Sequence, residues 1–139
     1  MEDMMKAYAM DAIEAAQADF GVRLDLSIAS LQEVERILGT LYDSKPRGLR
    51  KLFQRNSVEL DLDLLPKVWG GYVGEVIRRH HGGEWRIARD LYPDDVVYAL
   101  RVETTDIFPP AKVHKRLTNG PGDSVWFYYC VLKERLLTK

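Results

Sequence analysis

The chain has 139 residues, of which 46% are hydrophobic, 29% charged and 10% aromatic. That length suits one domain spanning residues 1–139, large enough to enclose a core without covalent staples. Twenty basic against twenty-one acidic residues leave a formal charge of -1, which excludes a polyanion binder driven by bulk charge and an acidic disordered chain.

The first residues carry acids where a secretion signal needs bases. Residues 1–30 hold six acids and two bases, whereas residues 67–139 hold twelve bases and nine acids, so an acidic first helix could pack near a basic later surface. Met5, Tyr8, Ala12 and Ala16, with Ala9 and Ile13 beside them, fall on one helical face, and Gly21 ends that helix. Val22, Leu24 and Leu26 then alternate with Arg23 and Asp25, as a strand or an extended segment would. Ser27 or Ser30 can cap the second helix, Ser30 with Glu33 matching a capping box. Leu31, Val34, Leu38 and Leu41 supply its buried stripe. Pro46 and Gly48 mark a loop, and Leu49, Leu52 and Phe53 suggest a further helical turn. This stretch also carries Lys45, Arg47, Arg50, Lys51 and Arg55 with no acid from Ser44 to Val58. Such a segment could touch phosphates, but no recognition-helix motif accompanies it, and a solvated connector explains it more simply.

The strongest helical signal lies at 64–80. Asp63 can cap it, Pro66 falls in its first turn, and Leu65, Val68, Trp69, Tyr72, Val73, Val76 and Ile77 give a wide apolar face. Gly82-Gly83 stops it. Gly70, Gly71 and Gly74 lie inside, each destabilising a helix by about 1 kcal/mol relative to Ala. The physical reason to tolerate them is close approach of another backbone, a ligand or a bulky side chain laid over the gap, a packed neighbouring element being the plainest of these. Beyond it, Trp85 and Ile87 alternate with Arg86 and Ala88, and residues 96–102 are rich in β-formers, so an antiparallel hairpin is expected near 85–102. Thr104, Thr105 and Ile107 could add a third strand. Pro109-Pro110 opens a helix holding Val113 and Leu117, and Asp123 or Ser124 caps a last one with Val125, Tyr128, Tyr129 and Leu132 on one side. Trp126 and Phe127 widen that belt, which predicts a helix buried on much of its circumference. The apolar run 125–132 is far shorter than the roughly 20 residues that cross a bilayer. The expected fold is α+β: about five helices packed on a small antiparallel sheet of two to three strands, with residues 1–21 as an N-terminal helix docked on it.

The strings GGYVGEVIRRHHGGEW at 70–85 and KVHKRLTNGPGDSVWFYY at 112–129, with LDLSIASLQEVERIL at 24–38, resemble a family of small bacterial single-domain proteins. Its members share a G-x-Y-x-G-E-V helix, a Gly-Gly-x-Trp exit and a K-V-x-K-R-L-x-N-G segment. The family has no established activity, so the resemblance implies a fold and no catalytic residues.

Candidate chemistry is sparse. Glu75 lies mid-helix among Gly71, Gly74, Arg78 and Arg79, either in an ion pair at i,i+3 or i,i+4 or as a carboxylate in a glycine-floored groove. His80 and His81 point about 100° apart on a helix and cannot share a metal; with His114 they match no ligand spacing, so no metal and no cofactor is implied. Cys130, the lone cysteine, excludes an intramolecular disulfide and points to a reducing compartment, hence a cytoplasmic protein. Its predicted helix is buried, where a thiol acts as a small hydrophobe. The segment 120–124 is a cap and turn rather than a phosphate loop, since Asp123 would repel phosphate. Three functions follow. The first is a non-catalytic protein-interaction or regulatory module, immunity-like, with a protein partner. The second is a small enzyme or ligand binder whose groove uses Gly70, Gly74, Glu75, Arg78 and Trp85, with Lys112 and Arg116 as anion contacts. The third, which the charge balance disfavours, is nucleic-acid binding through residues 45–55. The sequence leans against an enzyme and a membrane protein, and leaves the oligomeric state open.

Overall fold

The wide apolar face at the centre of the sequence forms the spine of the protein. In the computed structural model, which describes residues 1–44 and 60–135, this segment is a helix, α3 (Leu64–His81), whose residues from Val68 to Ile77 are all buried. Two helices precede it among the described residues, α1 (Glu2–Phe20) and α2 (Ser30–Asp43). After it come strands β1 (Glu84–Ile87), β2 (Tyr98–Val102) and β3 (Thr105–Ile107), then helices α4 (Pro109–Asn119) and α5 (Val125–Arg135). Among the described residues the fold is α+β, five helices with one three-stranded antiparallel sheet in the order β1-β2-β3. The basic segment 45–55 lies outside the described residues.

Each glycine of α3 meets a different neighbour. A methyl at Gly70 would sit under 3.0 Å from the Cα of Pro110, in the first turn of α4. One at Gly71 would lie 3.0 Å from Tyr8 Cβ and 3.2 Å from the Met5 carbonyl of α1. One at Gly74 would overlap the indole of Trp85 from β1. The missing side chains let two helices and the sheet close on α3, which recovers in buried apolar area what the glycines cost in helix propensity.

The sheet separates charge from core by the two-residue period of its strands. Trp85, Leu100 and Ile107 lie in register across the three strands and are buried with the helices in one core. The neighbouring positions carry charge. Asp106 accepts from Arg101 Nε at 2.8 Å and from Arg86 Nη1 at 2.6 Å, and Arg86 also reaches Asp90. Ala99, the register partner of Arg86, is fully buried.

Several local expectations need correction. Residues 22–26 form no strand, and the chain ends this stretch in a bend at Leu26, whose amide donates to Tyr72 Oη at 2.9 Å. Ser27 Oγ accepts the Ser30 amide at 3.1 Å and so precedes α2, whereas Ser30 with Glu33 makes no capping box; the Ser30 hydroxyl instead meets Tyr72 Oη at 2.7 Å. Asp63 makes no side-chain cap on α3; Asp61 Oδ1 accepts the Asp63 and Leu64 amides at 3.1 and 3.0 Å. In α5, Ser124 is the capping side chain, accepting the Phe127 amide at 3.1 Å. Only Val125, Tyr129 and Leu132 of that helix are buried, Phe127 is 66% exposed and Cys130 is partly exposed. The aromatic run is therefore an edge of the core and not its centre.

Candidate functional site

The glycine gap at position 74 is filled by Trp85, and that fixes the polar groups around it. With its ring laid on α3, Trp85 donates Nε1–H to Glu75 Oε2 at 3.0 Å. Arg78, one turn on, donates Nε to the same oxygen at 2.8 Å and Nη2 to Oε1 at 3.2 Å. Glu75 is only 8% exposed, and both its oxygens are engaged. It therefore anchors Trp85 and Arg78 and is not a free carboxylate for acid–base work. The outer nitrogen of Arg78 continues to Glu2 of α1 at 2.9 Å, so the acidic first helix does meet a basic later one. Hydrogen bonding from Lys6, then the charge of Arg78, hold the Glu2 carboxyl below its ordinary value.

Beside this relay a groove of about 500 Å³ opens between α1 and α3. Its floor is apolar: Ala9, Met10, Ile13 and Leu26. Its polar edge is Lys6, Glu75, Arg78 and Arg79. Lys6, Ala9, Met10 and Ile13 follow the i, i+3, i+4, i+7 spacing of one helical stripe, adjacent to the stripe that α1 buries. Ala9 and Ile13 belong to the face read from the sequence; Lys6 and Met10 carry it onto the groove and are the signal that sequence reasoning passed over.

Of the residues expected to form one site, Gly74, Glu75, Arg78 and Trp85 do come together. Gly70 is covered by α4 and does not line the groove at Glu75. Lys112 and Arg116 take other partners. Lys112 pairs with Asp123 at 3.1 Å and lies over the Tyr128 ring. Arg116, almost fully buried, donates Nε to Glu35 Oε2 at 2.8 Å and lies over the Tyr42 ring. The other oxygen of Glu35 accepts the Val125 amide at 2.7 Å, so this carboxylate ties α2, α4 and the start of α5 together. Arg116 Nη1 is buried with no hydrogen-bond partner among the described residues.

No protein-family model, curated protein or solved structure matches the chain. Its chemistry rests on its own geometry.

The histidines diverge as their spacing requires. His80 Nε2 donates to the Leu26 carbonyl at 3.0 Å, and His81 Nε2 meets Tyr129 Oη at 2.8 Å. Burial, and then the charges of His80 and Lys133, push the His81 imidazole below its ordinary value. Among the described residues no group of three His, Cys, Asp or Glu side chains converges to hold a metal ion, and no helix is long and apolar enough to cross a membrane. Sequence reasoning missed Glu35, Lys6, Met10 and Leu26.

Proposed function

We propose that the protein is a non-catalytic interaction or regulatory module, immunity-like, that works by contact with a protein partner. The observation that carries this reading is the end of the β1–β2 hairpin. There Leu91 is 54%, Tyr92 45% and Val96 57% exposed, a cluster of large apolar side chains in one short connection. Arg86 holds the base of this loop through Asp90 and Asp106, and Tyr92 sits edge-on to Phe108 with ring centroids 6.1 Å apart. A braced apolar tip loses little conformational entropy on docking, which favours recognition. Asp94 and Asp95 beside it suit a partner whose apolar recess has a basic rim.

Capture from native lysate at low salt tests this reading, comparing the wild type with Leu91→Asp/Val96→Asp. Both positions are exposed, so the variant should melt as the wild type does. A stoichiometric protein retained by the wild type and lost by the variant supports the reading. Absence of such a protein, or equal retention by both, defeats it. A second reading, a ligand-binding protein, is favoured by the groove beside Glu75.

A further inference from the structure

The groove between α1 and α3 joins an apolar floor to one cation, Arg79, that has no partner among the described residues. Its volume of about 500 Å³ falls in the range of small-molecule sites, roughly 300–1,000 Å³. Met10, Ile13 and Leu26 present apolar surface to it, and a methionine adapts its shape to a ligand. The basic groups on its edge are not equivalent. Lys6 pairs with Glu2 at 3.3 Å, and Arg78 is shared between Glu2 and Glu75. Arg79 lines the same groove, is exposed, and has no side-chain ion pair or hydrogen bond among the described residues. A cationic ligand would face three positive side chains and one carboxylate that is already saturated. A neutral one would leave Arg79 idle. An anionic head group on an apolar body complements both parts of the groove.

The Leu26 part of the floor is fixed before any ligand arrives. Leu26 has φ of 63°, a left-handed conformation that is unfavourable for a leucine and persists only where surrounding contacts impose it. Here two α3 side chains impose it: Tyr72 Oη accepts the Leu26 amide, and His80 Nε2 donates to the Leu26 carbonyl.

We propose that this groove binds a free small-molecule monocarboxylate, with its apolar body on Met10, Ile13 and Leu26 and its carboxylate on Arg79. The proposal rests on the ligand-binding reading given above and specifies the ligand's charge. The test uses the full chain with Nile red, an uncharged apolar dye, displaced by decanoate or by decan-1-ol at pH 7. Decanoate should displace the dye about tenfold more tightly than the alcohol, the scale of one charge-assisted hydrogen bond at a partly exposed site. In Arg79→Gln, an exposed position whose melting should not change, the two should become equal with the alcohol unaffected. In Ile13→Asp the dye should no longer bind. Equal displacement by both ligands in the wild type would overturn the carboxylate assignment while leaving a ligand groove. Preference for decanoate retained in Arg79→Gln would overturn the head-group assignment. No dye binding, or no displacement by either ligand, would remove the ligand-binding reading itself. Arg79-dependent sedimentation with phosphatidylglycerol vesicles, without competition by decanoate, would replace the free carboxylate with a membrane surface.

Discussion

Replacing Gly70 with alanine tests the claim that the α3 glycines exist for close packing. In an unobstructed helix the change stabilises by about 1 kcal/mol. Here the new methyl would lie under 3.0 Å from Pro110 Cα and also against Pro110 N. Both atoms are backbone, so no rotamer change relieves the contact and α3 must separate from α4. Overpacking of this kind costs up to about 3 kcal/mol, which leaves a net loss of about 2 kcal/mol. For a domain of this size that lowers Tm by roughly 8 °C. Urea unfolding followed by circular dichroism should show a lower midpoint with an unchanged slope. Gly122→Ala is the control, because a methyl there meets nothing within 4 Å, and it should be neutral. If Gly70→Ala unfolds at the wild-type midpoint or above it, close helix packing is not why position 70 is glycine.

Two further outcomes follow from the buried polar groups. Glu35→Ala should cost about 3 kcal/mol, because it strands the Arg116 charge and uncaps the Val125 amide; Arg116→Met should cost clearly less, because Glu35 keeps the amide and is itself 21% exposed. Equal losses in urea melts would show that the pair is not the hub described. The His81 imidazole is held below its ordinary value of 6.5, so below that pH the unfolded chain binds a proton that the folded chain resists. His81 therefore contributes stability that is complete above about pH 6.5 and is lost as pH falls toward and through the lowered folded value. Tm measured from pH 7.5 to 5 should fall less steeply in His81→Gln, and an unchanged slope would exclude His81 as its source.

The elements that could be read in advance are those whose signals are local. The face of α3, its glycines, the Gly82 stop and the Trp85 hairpin each follow from spacing within a few residues. The second hairpin was harder, because its turn is Glu103-Thr104 with φ of 56° at Glu103, far from the Asn-Gly pattern that marks such turns. Partners distant in sequence were not readable at all: Arg116 and Glu35 are 81 residues apart, and a lone buried arginine looks like any surface base until its carboxylate is placed. Composition misled in α5, where four consecutive aromatic residues, Trp126 to Tyr129, suggested burial and only one flank is covered. The Glu75 cluster was half legible. Helical spacing gave Glu75 with Arg78, but Lys112 and Arg116 were drawn into the same site by charge alone.

The relay Glu2–Arg78–Glu75–Trp85 crosses α3 from the first turn of α1 to the first strand of the sheet. It clasps the N-terminal helix and the hairpin across the same turn of the spine, so neither should peel away by itself. Amide protons of α1 and of β1 are then expected to exchange as one cooperative unit, and cutting the clasp at Arg78 should let the two open separately.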